Sequence, residues 1–308
     1  MMAKRPLGAT GIEVSTVGLG AWQLGRSAEW PSGPEPEEAA RIVRAAFDVG
    51  VTFIDTAPAY AGGQSELNVG RALAGVPRDR FVLCTKVGRR PDGSADWAPE
   101  AIEASVVGSA GRLGVEHIDV VVLHSPPAEV LDSPAHYQAL RALKDKGLIR
   151  AYGASVDHGH EIEAAAEAEV LEVRLSALYQ EPLPALEKAG TGAIIKVPLE
   201  SGWLSGAYDE DSRFDDVRAR WSPADVALRA SLAGEFRALL PDGVDVTEGA
   251  LRFLLALDPV STVIPGTRSL SHLEASVAAA ARGPLDPATV DAVLAWYQDR
   301  LGEQALRW

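Results

Sequence analysis

Residues 81–124 read FVLCTKVGRRPDGSADWAPEAIEASVVGSAGRLGVEHIDVVVLH. An apolar, β-rich run at 81–86 leads through a polar turn into a helical stretch at 99–113, and a second apolar run follows at 118–124. Pro99 opens the helical stretch, where a missing N–H costs least. Strand, helix and strand in this order predict two parallel strands joined by a crossover helix on the outside of a sheet.

The unit repeats in both directions along the chain. Runs at 16–20, 52–55, 149–154, 172–177, 193–197 and 260–264 join the first two to make eight strand candidates. Helical stretches at 36–49, 65–73, 134–146 and 160–169 fall between them, and Pro36 and Pro134 again sit early. The segment 203–243 is longer than an ordinary connection, carries its own helix at about 223–239, and reads as an active-site loop or lid. Residues 6–14, with Thr10-Gly11 as the turn, form a small hairpin, and 287–301 is one more helix at the other end. The expected fold is α/β: a (β/α)8 TIM barrel with an N-terminal β-hairpin and an extra C-terminal helix, one domain over residues 1–308. An open doubly wound sheet is the alternative. Its G-x-G-x-x-G fingerprint is missing after the first strand, where Gly18-Leu19-Gly20-Ala21-Trp22-Gln23 supplies only half.

Composition narrows the function. The 308 residues are 47% hydrophobic and 23% charged, with a formal net charge of −14. That acidic excess repels nucleic acid and anionic lipid, so neither is an expected partner. An anionic small molecule has to be held by local amides and a few cations. The chain has no apolar run long enough to span a bilayer, its first residues lack the apolar stretch of a signal peptide, and Cys84 is its one cysteine. A cytoplasmic protein without disulfides is the expectation.

In a barrel the C-terminal ends of the strands share one rim. The second strand ends in Asp55 and its turn carries Tyr60; the third ends in Lys86; the fourth ends in His124. Singly, these residues have ordinary uses as a cap, a packing ring, a solvated amine and a core imidazole. At three consecutive strand ends they predict one proton-handling site. Trp22, Trp30, Trp97 and Trp203 fall in segments that could line its mouth and suit an apolar or ring-bearing ligand. His158-Gly159-His160 lacks the further ligands a zinc site needs, so no metal is expected. No G-x-S-x-G elbow points to a serine hydrolase.

Over nearly its whole length the chain resembles bacterial members of the aldo-keto reductase superfamily. The resemblance rests on Leu19-Gly20-Ala21-Trp22, Phe53-Ile54-Asp55-Thr56-Ala57-Pro58-Ala59-Tyr60, Ser65-Glu66, Thr85-Lys86, Leu113-Gly114, Ile118-Asp119, Leu123-His124-Ser125-Pro126, Gly153-Ala154-Ser155, Pro198-Leu199 and Ile264-Pro265-Gly266. It implies that Asp55, Tyr60, Lys86 and His124 form a catalytic tetrad. It also implies an oxidoreductase that passes hydride from NADPH to an aldehyde or ketone, with Tyr60 as general acid. The alternatives are an NAD-dependent aldose or alcohol dehydrogenase and a weakly catalytic NADP(H)-binding regulatory subunit. NADP(H) is the favoured cofactor and NAD(H) the other. The remaining expected partner is a small carbonyl or alcohol substrate, with the chain a monomer or weak homo-oligomer.

By the same resemblance the cofactor touches Gly20, Ala21, Trp22 and Asp55, then Ser155, Ser176 and Lys196. It continues past Pro198, Leu199, Ser201, Gly202 and Leu204 to Ile264, Gly266, Thr267, Arg268, His272 and Ser276. Several positions depart from the common pattern. Val156 stands where Asn is frequent, Ser176 is aligned with a Gln, and Lys196 takes the place of a Tyr that stacks on the nicotinamide. Gly266 and His272 replace common Lys and Arg residues. Chemically, an oxyanion that develops on a carbonyl oxygen needs a proton and positive potential. Lys86 is expected to lower the phenol pKa of Tyr60, Asp55 to hold Lys86, and His124 to donate to the carbonyl oxygen.

Overall fold

The computed structural model describes residues 2–302 and Leu306. Strands β1 (Lys4–Pro6) and β2 (Glu13–Ser15) pair antiparallel as the expected hairpin. The Thr10 hydroxyl donates to Leu7 O at 2.7 Å and fixes its turn. Eight parallel strands then follow in sequential order: β3 (Leu19–Gly20), β4 (Phe53–Asp55), β5 (Val82–Val87), β6 (Ile118–His124), β7 (Ile149–Val156), β8 (Val170–Arg174), β9 (Gly192–Lys196) and β10 (Val260–Ile264). The first and last meet through bridges Val17–Val263 and Gly20–Gly266, and Gly18 N donates to Val263 O at 2.8 Å. That pairing closes the sheet into a barrel.

The helices lie between the strands: α1 (Pro36–Asp48), α2 (Gln64–Leu73), α3 (Pro99–Leu113), α4 (Ala128–Leu131), α5 (Pro134–Asp145), α6 (Gly159–Ala164), α7 (Leu183–Ala189), α8 (Pro223–Leu239), α9 (Val246–Ala256), α10 (Leu270–Ala281) and the terminal α11 (Pro287–Arg300). Prolines occupy the first turn of α1, α3, α5, α8 and α11, as their missing N–H permits. Two expectations shift. The sixth barrel strand begins at Val170 rather than 172, because its polar Glu172 sits mid-strand and faces the barrel interior. The helix expected at 160–169 ends at Ala164, because the chain must turn back to start β8.

Successive strand residues point alternately in and out. Inside the barrel, Phe53, Val82, Val120, Ala151, Val170 and Ile194 form a dry layer, and Leu7, Ile12 and Val14 of the hairpin seal it from below. Each fully buried Val, Leu, Ile or Phe among them contributes about 1.5–3 kcal/mol. The outward faces pack on the helices, for example Ile54, Val121 and Ala154 with Val43, Leu140 and Val106 in one continuous core. Two to four residues further along the strands, the inward positions change from apolar to polar: Asp55, Lys86, His124, Ser155, Glu172 and Lys196. That change places the chemistry at the C-terminal rim.

Candidate active site

All five non-glycine residues with positive φ among the described residues lie on this rim: Ala61, Ser125, Val197, Glu200 and Ser201. Such conformations cost energy and hold only where surrounding structure fixes them. Ala61 (φ 49°) follows Tyr60 in the short turn 60–63 and helps to aim the ring. The turn is tied down from below. Ser65 donates to Ala21 O at 2.7 Å and shares a 2.9 Å hydrogen bond with Thr56. Thr85 donates to Glu66 at 2.6 Å. The Ser65-Glu66 and Thr85 positions of the sequence motif are therefore scaffolding for the loop that carries Tyr60.

Asp55, Lys86, Tyr60 and His124 come together as expected. Lys86 is 1% exposed and its ammonium donates to Asp55 Oδ1 at 2.5 Å. It lies 5.5 Å from the centroid of the Tyr60 ring. The Tyr60 and His124 rings meet edge to face at 5.6 Å, and Trp22 packs on Tyr60 at 6.0 Å and on Trp30 at 5.3 Å. His124 Nδ1 is buried and has no hydrogen-bond partner among the described residues.

The sequence reading missed a fifth member. Glu172, 1% exposed, accepts from Lys86 Nζ at 2.7 Å through Oε2 and from the Ser155 hydroxyl at 3.2 Å through Oε1. The register explains the meeting: His124, Ser155, Glu172 and Ile194 lie side by side across β6 to β9, and the long Lys86 chain rises to them from one row below. In β8 the apolar Leu171 and Val173 pack outward in the core, so Glu172 between them faces the barrel interior, and that alternation was present in Val170-Leu171-Glu172-Val173. Asp55, Glu172 and Cys84 offer ligand atoms within 4.8 Å of one another. The Lys86 ammonium bonds both carboxylates and is the cation of this cluster.

Burial dominates the electrostatics. It pushes the Asp55 carboxyl up to about 7, with the Glu172 charge adding and Lys86 opposing. It pulls at the Lys86 ammonium too, but Asp55 and Glu172 outweigh it and hold the amine charged, well above its ordinary value. His124 is kept neutral by burial and then by the positive charges of Lys86, Lys196 and Arg89. Tyr60 corrects an expectation. Its phenol lies above, not below, the usual value, because burial outweighs Lys86 and the two carboxylates add to it. The hydroxyl therefore keeps its proton until another group takes it.

The groove residues are placed unevenly. Lys196 Nζ donates to Ser155 Oγ at 2.9 Å and pairs with Asp157 at 2.9 Å, so an ammonium rather than an aromatic ring stands beside Ser155. Ser176 does not face that cluster: it donates to Glu200 at 3.0 Å, in a buried network with Arg174. Val156 is buried. After β9, Val197, Pro198 and Leu199 lead into Glu200, Ser201 and Gly202, with φ of 45°, 54° and 96°. Leu204 and Trp203 are fully buried, so Trp203 is core and not pocket wall. Trp97 packs over Gly88, and its carbonyl accepts from His136 at 2.6 Å. Gly20 touches the last strand so closely that a Cβ there would meet Ile264 O at 2.9 Å; Ala21 is buried just beyond it.

After β10, Gly266 and Arg268 are exposed, and Thr267 is buried with its hydroxyl on Ser269 O. Helix α10 starts without a side-chain cap, His272 is exposed on its first turn, and Ser276 donates back to His272 O at 2.9 Å. Arg268 reaches Ser32 in the loop after β3, and Val217 N donates to Glu29 O at 3.1 Å. These contacts tie the loop after β3 to the loops after β9 and β10. His158 and His160 stack at 5.4 Å, and His158 bonds Tyr179 at 2.9 Å beside the start of α6.

A closed barrel with these residues at its C-terminal rim is the architecture of a carbonyl–alcohol oxidoreductase. The sequence matches the Aldo/keto reductase family over residues 16–297. The chain belongs to that family, whose members are NAD(P)H-dependent oxidoreductases acting on small molecules. It is 31% identical over 291 residues to L-galactose dehydrogenase of Arabidopsis thaliana, covering 89% of this chain and 87% of that one. It is 33% identical over 232 residues to the NADH-specific methylglyoxal reductase of Escherichia coli K12, covering 68% and 71%. Among solved structures it superposes on an aldo-keto reductase from Bacillus halodurans in its holo form with a TM-score of 0.81, 28% identity and 96% of both chains covered. No helix among the described residues is long and apolar enough to cross a membrane.

Proposed function

We propose that the protein reduces an aldehyde or ketone with a reduced nicotinamide dinucleotide, preferring NADPH, and that Tyr60 donates the proton. The observation that carries this reading is the buried Tyr60–Lys86–Asp55 arrangement, with His124 edge-on to the phenol and a nitrogen of its ring unpartnered. The residues fit a nicotinamide dinucleotide. Ser155, Glu172 and Lys196 offer polar atoms for a carboxamide, the exposed Gly266 leaves its backbone open to approach, and the uncapped start of α10 with Arg268 suits a phosphate.

When bound, the reduced cofactor supplies the hydride. The residues do the rest. His124 orients the carbonyl oxygen beside Tyr60. Tyr60 gives its proton as negative charge builds on that oxygen, and the Lys86 ammonium stabilises the phenolate left behind. Trp22 forms an apolar wall beside Tyr60 and keeps water from the reacting oxygen. Arg268, Thr267 and Ser269 read the extra phosphate that separates NADPH from NADH.

The test is loss of reduced-cofactor absorbance over a panel of aldehydes and ketones, with NADPH and NADH in parallel. Tyr60→Phe keeps the ring and removes the hydroxyl. It is expected to abolish nearly all turnover while cofactor affinity changes by less than about tenfold, or ~1.4 kcal/mol. Full activity in that variant would remove Tyr60 from the mechanism.

A further inference from the structure

Charge in the barrel mouth does not balance. Lys196 and Asp157 pair at 2.9 Å and cancel. Lys86 faces two carboxylates, Asp55 at 2.5 Å and Glu172 at 2.7 Å, so above about pH 7, where Asp55 is ionised, this buried group holds one negative charge more than positive. The excess sits beside Ser155. The single hydroxyl proton of Ser155 goes to Glu172 Oε1, and its oxygen accepts from Lys196. Ser155 is thus spent as a donor. A carboxamide arriving at this place needs an acceptor for its N–H groups, and a carboxylate has room for about four hydrogen bonds, of which Glu172 uses two here.

We infer that Glu172 is a positioning residue that makes the site favour the oxidised cofactor over the reduced one. The inference rests on the preceding reading that a nicotinamide dinucleotide binds with its carboxamide at Ser155. The reduced nicotinamide ring is neutral and the oxidised ring carries a positive charge, while both carry the same carboxamide. A neutral hydrogen-bond acceptor at this position would hold the two alike. A buried carboxylate adds an attraction that only the oxidised ring feels, and at this depth neither water nor salt screens it strongly. The same attraction strengthens hydride donation from the reduced form. It also leaves the oxidised form resident, ready for the reverse reaction on an alcohol.

The experiment is a fluorescence or calorimetric titration of the purified full chain with NADP+, NADPH, NAD+ and NADH, without substrate. It is run at about pH 8, above the Asp55 value of about 7, so that Asp55 is ionised. Glu172→Gln keeps the shape and removes the charge. It is expected to raise the ratio of oxidised to reduced Kd by about tenfold for whichever dinucleotide binds better, or ~1.4 kcal/mol. Glu172→Asp keeps the charge and should stay within about twofold of wild type by the same measure. Equal shifts for both oxidation states in Glu172→Gln would overturn the inference and leave the proposed function standing. Should that variant not fold, wild type alone decides: the oxidised form must bind at least as tightly as the reduced form, and a reduced form bound about tenfold tighter overturns the inference. If wild type binds none of the four, the cofactor reading falls and this inference falls with it.

Discussion

Replacing Lys86 by Met keeps most of the side-chain volume and removes the one cation between Asp55 and Glu172. Both carboxylates are almost fully buried, at 3% and 1% exposure, and each has the ammonium within 2.7 Å. Removing one partner from a buried ion cluster costs about 3–5 kcal/mol, since the charges left behind have neither water nor a counterion. A loss of that size lowers the melting temperature by roughly 6–20 °C, taking ~2–4 °C per kcal/mol for large domains. The deficit has a pH signature. With the ammonium gone, the Asp55 carboxyl, already raised to about 7 by burial and the Glu172 charge, loses the charge that opposed the rise and takes up a proton above neutral pH, which relieves the strain. The difference from wild type is therefore expected to be level below about pH 7 and to grow as pH rises above it. Turnover should fall as well, because the phenolate of Tyr60 loses its cationic neighbour. Differential scanning fluorimetry across pH, with the absorbance assay alongside, measures both. A melting point within about 2 °C of wild type at every pH would show that Lys86 does not hold these carboxylates.

Two further outcomes are expected. The Asp55 carboxyl is raised to about 7, so its stabilising contribution is complete below the unfolded value near 4 and is lost as pH rises through about 7. Asp55→Asn lacks this slope and is expected to gain stability relative to wild type between pH ~4 and ~8; parallel urea midpoints for both would refute the assignment. Arg268→Ala should weaken NADPH binding by about 1.5–3 kcal/mol, toward the lower end because Arg268 is exposed, and barely alter NADH. Equal losses for both cofactors would mean that the arginine acts on a part they share.

The barrel and its three strand-end residues were legible because both rest on local signals. Apolar runs bounded by turns mark strands, early prolines mark the starts of α1, α3 and α5, and Asp55, Lys86 and His124 each end such a run. Glu172 and Glu200 escaped because their roles depend on partners distant in sequence. Glu172 meets Lys86 86 positions away, and Glu200 meets Arg174 26 positions away, so the register of neighbouring strands decides what each one touches. The short helices α4 and α7 and the helix α9 were not read either, because α4 and α7 are too brief for a periodic signal and α9 is buried on most sides. The phenol of Tyr60 was misjudged because sequence shows its charged neighbours but not how deeply the ring is buried, and burial is the larger effect.

The hairpin stoppers the barrel at the end away from the catalytic candidates. With Leu7, Ile12 and Val14 wedged into an oily floor, water has no route to Lys86 from beneath. Under the proposed function, a ligand and the proton that renews Tyr60 would then share the rim as their approach, so that filling the site would also slow its recharging.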